Sequence, residues 1–129
     1  MTATRAGRAA PVTDGRRTGR SFEAWSWLFM RLSGLALVFL ALLHFAITHI
    51  LNDVVATDHA FVSRRWAKPG WRVFDWSLLA LALLHGLNGL RWIADDYVRR
   101  PGRRAAVLWS LYGVTAVLFA WGTFTILAF

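Results

Sequence analysis

Residues 83–98, read as LLHGLNGLRWIADDYV, place an imidazole, an amide and a guanidinium inside or at the edge of an apolar run, followed by two carboxylates and a phenol. An isolated polar group in hydrocarbon costs several kcal/mol, so each of these must be matched by a partner. At about 100° per residue, His85, Asn88, Gly89, Trp92 and Asp96 fall on one side of a helix, with Asp96 about 16 Å along the axis from His85. A neutral imidazole at that depth can ligate a haem iron through one nitrogen while the other nitrogen is held by a hydrogen-bond partner. It can equally be a structural histidine bonded to a carbonyl or to a neighbouring helix. Gly86 and Gly89 remove side-chain bulk beside it, so a flat ligand or a second helix can approach the backbone.

Such groups need a membrane around them. The chain has 129 residues, 57% of them hydrophobic, yet a formal net charge of +8. Residues 32–51 and 105–129 contain no Lys, Arg, Asp or Glu, and each is long enough to cross a bilayer, which takes about 20 residues. The basic charge sits just outside these apolar segments, the distribution that marks a cytoplasmic boundary and argues against nucleic acid as the partner. There is no cysteine, which excludes disulfides, iron–sulfur ligation and thiolate chemistry within the chain.

In order, residues 1–20 hold five Arg and, Met1 and Val12 apart, no large aliphatic residue; they read as a basic tail, disordered or draped on a partner. Residues 21–129 read as one three-helix membrane unit, with helices at about 25–51, 73–98 and 105–128. Ser21 is the expected N-cap of the first. The connection after it contains a short surface helix near 58–67, ended by Pro69-Gly70. The charge-free centre of the second crossing, residues 76–90, is short, so this helix must carry Asp75 and Arg91 near its ends and reads as the internal one. Five basic residues in the tail and four in the 99–104 turn stand against Arg64, Arg65, Lys68 and Arg72 at the other end. This predicts a cytoplasmic N-terminus and an outside C-terminus.

His85 followed by Asp96-Tyr97, together with Arg31-Leu32-Ser33-Gly34 at the start of the first crossing and the three-helix layout, resembles the small membrane anchor subunit of succinate dehydrogenase, over roughly residues 22–129. The resemblance implies an all-α integral membrane protein whose three transmembrane helices form half of a helix bundle with a second anchor (cytochrome b) subunit. It implies no catalytic residue in this chain, and iron–sulfur and flavoprotein subunits docked on the cytoplasmic face of a bacterial inner membrane. His85 is then an axial ligand of haem b, its other ligand coming from the companion subunit. Tyr97 donates to the carbonyl of a quinone, menaquinone or ubiquinone, assisted by Asp96. Arg31 serves as propionate counter-ion or quinone donor, and the quinone sits where the Asp96-Tyr97 end meets Arg31 and Ser33 of the first crossing. In two-haem members the first helix supplies a distal haem ligand, the place held here by His44; in one-haem members a histidine there carries protons or only hydrogen-bonds.

Two other classes remain on sequence alone. A small non-redox transporter or assembly subunit would use the histidines as proton relays, and its purified complex would be colourless. A b-type cytochrome subunit of another dehydrogenase usually has four or more helices and both ligands of each haem in one chain, which this chain does not offer.

Overall fold

A computed structural model describes residues 15–129, with side chains described from Ser21 onward. Helix α1 runs Gly15–Phe45 and continues through a π-helical turn, Ala46–Ile50. A 3₁₀ turn, Val54–Ala56, leads to the short helix α2, His59–Trp66, then α3, Pro69–Tyr97, and α4, Pro101–Ala128. Residues 1–14, the greater part of the expected tail, lie outside the described residues. The backbone is already helical at Gly15, so Ser21 sits inside α1 and is not its N-cap.

The second and third long helices begin earlier than the expected 73 and 105. Helix α2 does stop, at Trp66, ahead of Pro69, but Pro69 and Pro101 are themselves the first residues of α3 and α4. A proline at the first helical position lacks only an N–H that has no intrahelical acceptor anyway, and its fixed φ suits the helix. Helix α2 begins on Asp58, whose carboxylate accepts from the Phe61 N–H at 2.9 Å. At the far end of α1, Thr48 donates to the His44 carbonyl at 2.8 Å and Asn52 to the Ile47 carbonyl at 2.6 Å. These side chains satisfy carbonyls where the helix loosens into its π turn.

Three helical stretches, Ser21–Ile50, Pro69–Tyr97 and Pro101–Ala128, are long and apolar enough to span a bilayer. Their exposure pattern is inverted relative to a water-soluble bundle. Among the described residues only Ala94 and Ile126 are buried apolar residues, and the buried polar ones are Ser26 and Ser33. Trp109, Trp121, Phe124 and Leu127 face outward. With lipid as solvent the apolar effect no longer draws helices together, and close packing of small residues and polar contacts do so instead. The protein is thus an all-α, multi-pass membrane protein.

Helix α3 is central, packed on α4 and on α1. A Cβ on Gly122 of α4 would come within 2.6 Å of the Leu79 side chain on α3, and Trp76 Nε1 donates to Thr123 Oγ1 at 3.1 Å beside it. Helices α1 and α3 run antiparallel in a register fixed by three polar contacts: Ser26 meets Asn88, Ser33 meets His85 and His44 meets Asp75.

Candidate functional site

His85 lies on α3 where α1 crosses it. Its Nδ1 is 2.8 Å from Ser33 Oγ, and the same hydroxyl donates to the Phe29 carbonyl at 2.6 Å. A hydroxyl has one proton; once it is given to Phe29, Ser33 can only accept from His85, which assigns the hydrogen to Nδ1 and leaves the Nε2 lone pair free. Ser33 is 3% exposed, so water cannot compete for this bond. A Cβ on Gly34 would lie 3.3 Å from His85 Cε1; glycine is what lets the imidazole seat against α1. Trp92 shares the His85 face of α3, two turns nearer Tyr97, and its buried Nε1 has no partner among the described residues.

A second polar layer lies one turn further along α3. Ser26 donates to Asn88 Oδ1 at 3.0 Å and receives a bond from Arg91 Nη2 at 3.1 Å. Arg91 also stacks on Phe22, 4.9 Å from the ring centre. Among the described residues Asn88 Nδ2 and Arg91 Nε are buried without partners, at the edge of an apolar cleft of about 410 Å³. The sequence reading passed over Ser26; the signal was a hydroxyl early in α1, facing the two polar residues that α3 cannot keep out of its apolar stretch.

The antiparallel register separates residues that the sequence had grouped. Ser33 belongs to His85. Arg31 is exposed, its guanidinium 3.9 Å above the Trp27 ring, at the level of His85 and Asn88. Tyr97 is twelve residues beyond His85, about 18 Å along the axis, further than an arginine side chain extends. The structure therefore does not bring Arg31 and Ser33 to Asp96 and Tyr97.

At that helix end Asp95, not Asp96, makes the ion pair, with Arg104 Nη2 at 2.7 Å. Asp96 has no ion pair or side-chain hydrogen bond among the described residues, and Tyr97 is 81% exposed. Tyr97 borders an open cleft of about 590 Å³ with Arg99, Arg100 and Arg103.

His44 lies at the opposite end of the bundle, where Asp75 of α3 gathers three donors. These are His44 Nδ1 at 3.2 Å, Arg65 Nη2 at 2.7 Å and Trp66 Nε1 at 2.7 Å. The sequence reading assigned Asp75 nothing beyond being tolerated near a helix end.

The geometry defines a class: a multi-pass helical membrane protein with a deeply placed imidazole held in a fixed tautomer and buried donors along its central helix that have no partner among the described residues. Residues 8–121 match the family described as succinate dehydrogenase/fumarate reductase transmembrane subunit, and the chain belongs to that family. It is 28% identical over 116 residues, 85% of each chain, to a Mycobacterium tuberculosis protein named succinate dehydrogenase 2 membrane subunit SdhC. It is 34% identical over 85 residues, 66% of this chain and 72% of the relative, to the succinate dehydrogenase hydrophobic membrane anchor subunit of Archaeoglobus fulgidus.

Proposed function

We propose that this subunit anchors a succinate:quinone oxidoreductase in a bacterial cytoplasmic membrane, where it holds haem b with a second anchor subunit, helps form a quinone site and docks the iron–sulfur and flavoprotein subunits. The observation that carries this reading is the Ser33–His85 bond, which presents an unprotonated Nε2 inside a membrane span of a protein in this family. A haem bound here supplies a one-electron station beside the quinone site. His85 would hold such a group through Nε2, with Ser33 keeping the ring in place. Arg31, at the same level, offers a cation for a propionate, and the orphaned Trp92 Nε1 offers a donor.

Tyr97 and Asp96 form the quinone-facing end, near the cytoplasmic surface that Arg99, Arg100 and Arg103 mark. Reduction takes up two protons with two electrons. An exposed phenol donating to a carbonyl, and a carboxylate with no ion pair that relays protons from water, serve that need. Ser33 and Arg31 then belong to the haem rather than to this end. His44, with Nδ1 held by Asp75, also leaves Nε2 open, and a carboxylate-held imidazole is the usual arrangement of a ligating histidine. In a two-haem complex it would hold the second haem; in a one-haem complex it and Asp75 would form a hydrogen-bonded, proton-carrying pair.

The complex purified through a tag on this chain is expected to be red, with a b-type reduced-minus-oxidised spectrum and co-purifying flavin. A colourless complex would sink the reading, and a ratio of two haems per flavin, rather than one, would assign His44. Orientation has its own check: a reporter active only in the cytoplasm, fused after Phe129, is expected to be silent, and activity there would invert the topology.

Tyr97→Phe keeps the ring and removes only the hydroxyl, so it is expected to weaken quinone-linked turnover by about 1 to 3 kcal/mol. Electron transfer from succinate to an artificial acceptor that bypasses quinone should survive. If the ratio of the two activities is unchanged in both Tyr97→Phe and Asp96→Asn, the quinone site is elsewhere.

A further inference from the structure

The end of the molecule opposite Tyr97 carries a second built arrangement that the haem and quinone chemistry leaves unused. Between the end of α1, helix α2 and the start of α3 lies a cleft of about 260 Å³, with Ile47, Phe61 and Trp71 on its apolar side and Arg64, Arg65 and Lys68 on its polar side. Arg65 is its fixed element. Its side chain is 8% exposed, its Nη2 is bound to Asp75 at 2.7 Å, and its guanidinium lies 4.8 Å from the centre of the Trp71 ring. Its Nε is buried and has no partner among the described residues.

The charges around the cleft do not cancel. Asp75 is the carboxylate nearest this cluster, and it is already shared among three donors. Asp53 and Asp58 are engaged as caps by the Val55 and Phe61 N–H groups. Arg64 and Lys68 are exposed, with no carboxylate within ion-pair distance among the described residues. Arg72, next to the cleft, gives its Nε to the Trp66 carbonyl at 2.6 Å. Two uncompensated cations and a buried, unused N–H thus stand over an indole and two apolar side chains, at the level where two spans leave the hydrocarbon.

We infer that this cleft binds the headgroup phosphate of an anionic phospholipid. Arg64 and Lys68 contact the phosphate, the Arg65 Nε faces it from within, and the glycerol and upper acyl segments rest on Ile47, Phe61 and Trp71. A free phosphate would have no use for the apolar side, whereas a lipid at the interface meets both sides at once, with tryptophan at its preferred depth. On the orientation proposed above, these basic residues stand on the side where they are disfavoured as topology signals. A bound anion gives them a separate role, which does not depend on haem or quinone.

The test uses the intact complex in detergent, stripped of lipid, with its thermal unfolding midpoint followed during titration with phosphatidylglycerol, with phosphatidylcholine of the same chains, and with inorganic phosphate. Phosphatidylglycerol is expected to raise the midpoint saturably, and the other two are not. Arg64→Ala/Lys68→Ala removes two exposed cations that pair with nothing. It is expected to raise the half-saturating phosphatidylglycerol concentration about thirtyfold, two surface basic residues' worth of attraction, while Arg64→Lys retains the response. An equal response to phosphatidylcholine, or an unchanged titration in the double variant, overturns the proposal. A response to inorganic phosphate matching that to phosphatidylglycerol overturns the lipid assignment in favour of a free-anion site.

Discussion

His85→Ala is expected to abolish the low-spin b-type spectrum or convert it to high spin, and to lower haem content sharply, while the subunit still inserts. On the proposed reading the substitution removes one of two nitrogen ligands, which no neighbouring side chain can replace. The nearest histidine on α1, His44, pairs with Asp75, ten residues and about 15 Å along α3 from His85. The rest of the helix pair is untouched, because Ser33 keeps its bond to Phe29 and the alanine leaves space in a contact that already contains Gly34. Ser33→Ala separates ligand from positioning residue. It should keep haem but let the imidazole turn or change tautomer, which shifts the spectrum or midpoint potential without removing the iron. An unchanged low-spin spectrum in His85→Ala would make the histidine structural and return Ser33 to an ordinary interhelical contact.

Asp75→Asn is expected to cost about 3–5 kcal/mol of stability, the effect of removing one member of a buried ion pair and leaving the other charge uncompensated. Asp75 and Arg65 are 10% and 8% exposed, and Trp66 Nε1 and His44 Nδ1 lose part of the same acceptor. The asparagine fills the same volume, so the loss reports charge and hydrogen bonding rather than packing. His44→Ala at the same hub should cost far less, because that ring is 40% exposed and its departure leaves the Arg65–Asp75 pair intact. The measurement is resistance of the purified complex to detergent or heat, read beside the haem spectrum. The hub is ten residues and about 15 Å along α3 from His85, so stability should fall while the spectrum stays. A loss below about 1 kcal/mol would mean that water reaches the pair and that the hub is an ordinary exposed ion pair.

The number of membrane-crossing helices, their approximate places and the internal role of α3 were legible in the sequence. They follow from local properties: the length of charge-free runs, the position of Arg and Lys outside them, and the cost that hydrocarbon sets on every unpaired polar group. The depth of His85 and its presence on one face with Trp92 and Asp96 follow from helical periodicity alone. Helix starts were less legible because Pro-Gly carries two meanings: it can stop the segment before it or open the first turn of the helix after it. Only the formed helix shows which applies at residues 69 and 101.

What one helix presents to another was decided by the tertiary structure. Antiparallel register depends on how many residues the connection absorbs, and a shift of one residue moves a contact about 1.5 Å along the axis and about 100° around it. That is why the sequence could group Ser33 and Arg31 with Tyr97, while the structure gives Ser33 to His85, with the imidazole's tautomer as the consequence. It is also why Asp95 rather than Asp96 holds Arg104, and why Asp75, in the sequence only a charge tolerated near a helix end, gathers groups from α1 and from the residues of α2. Periodicity fixes the face on which a side chain lies; only the packing of one helix against the next fixes what that face meets.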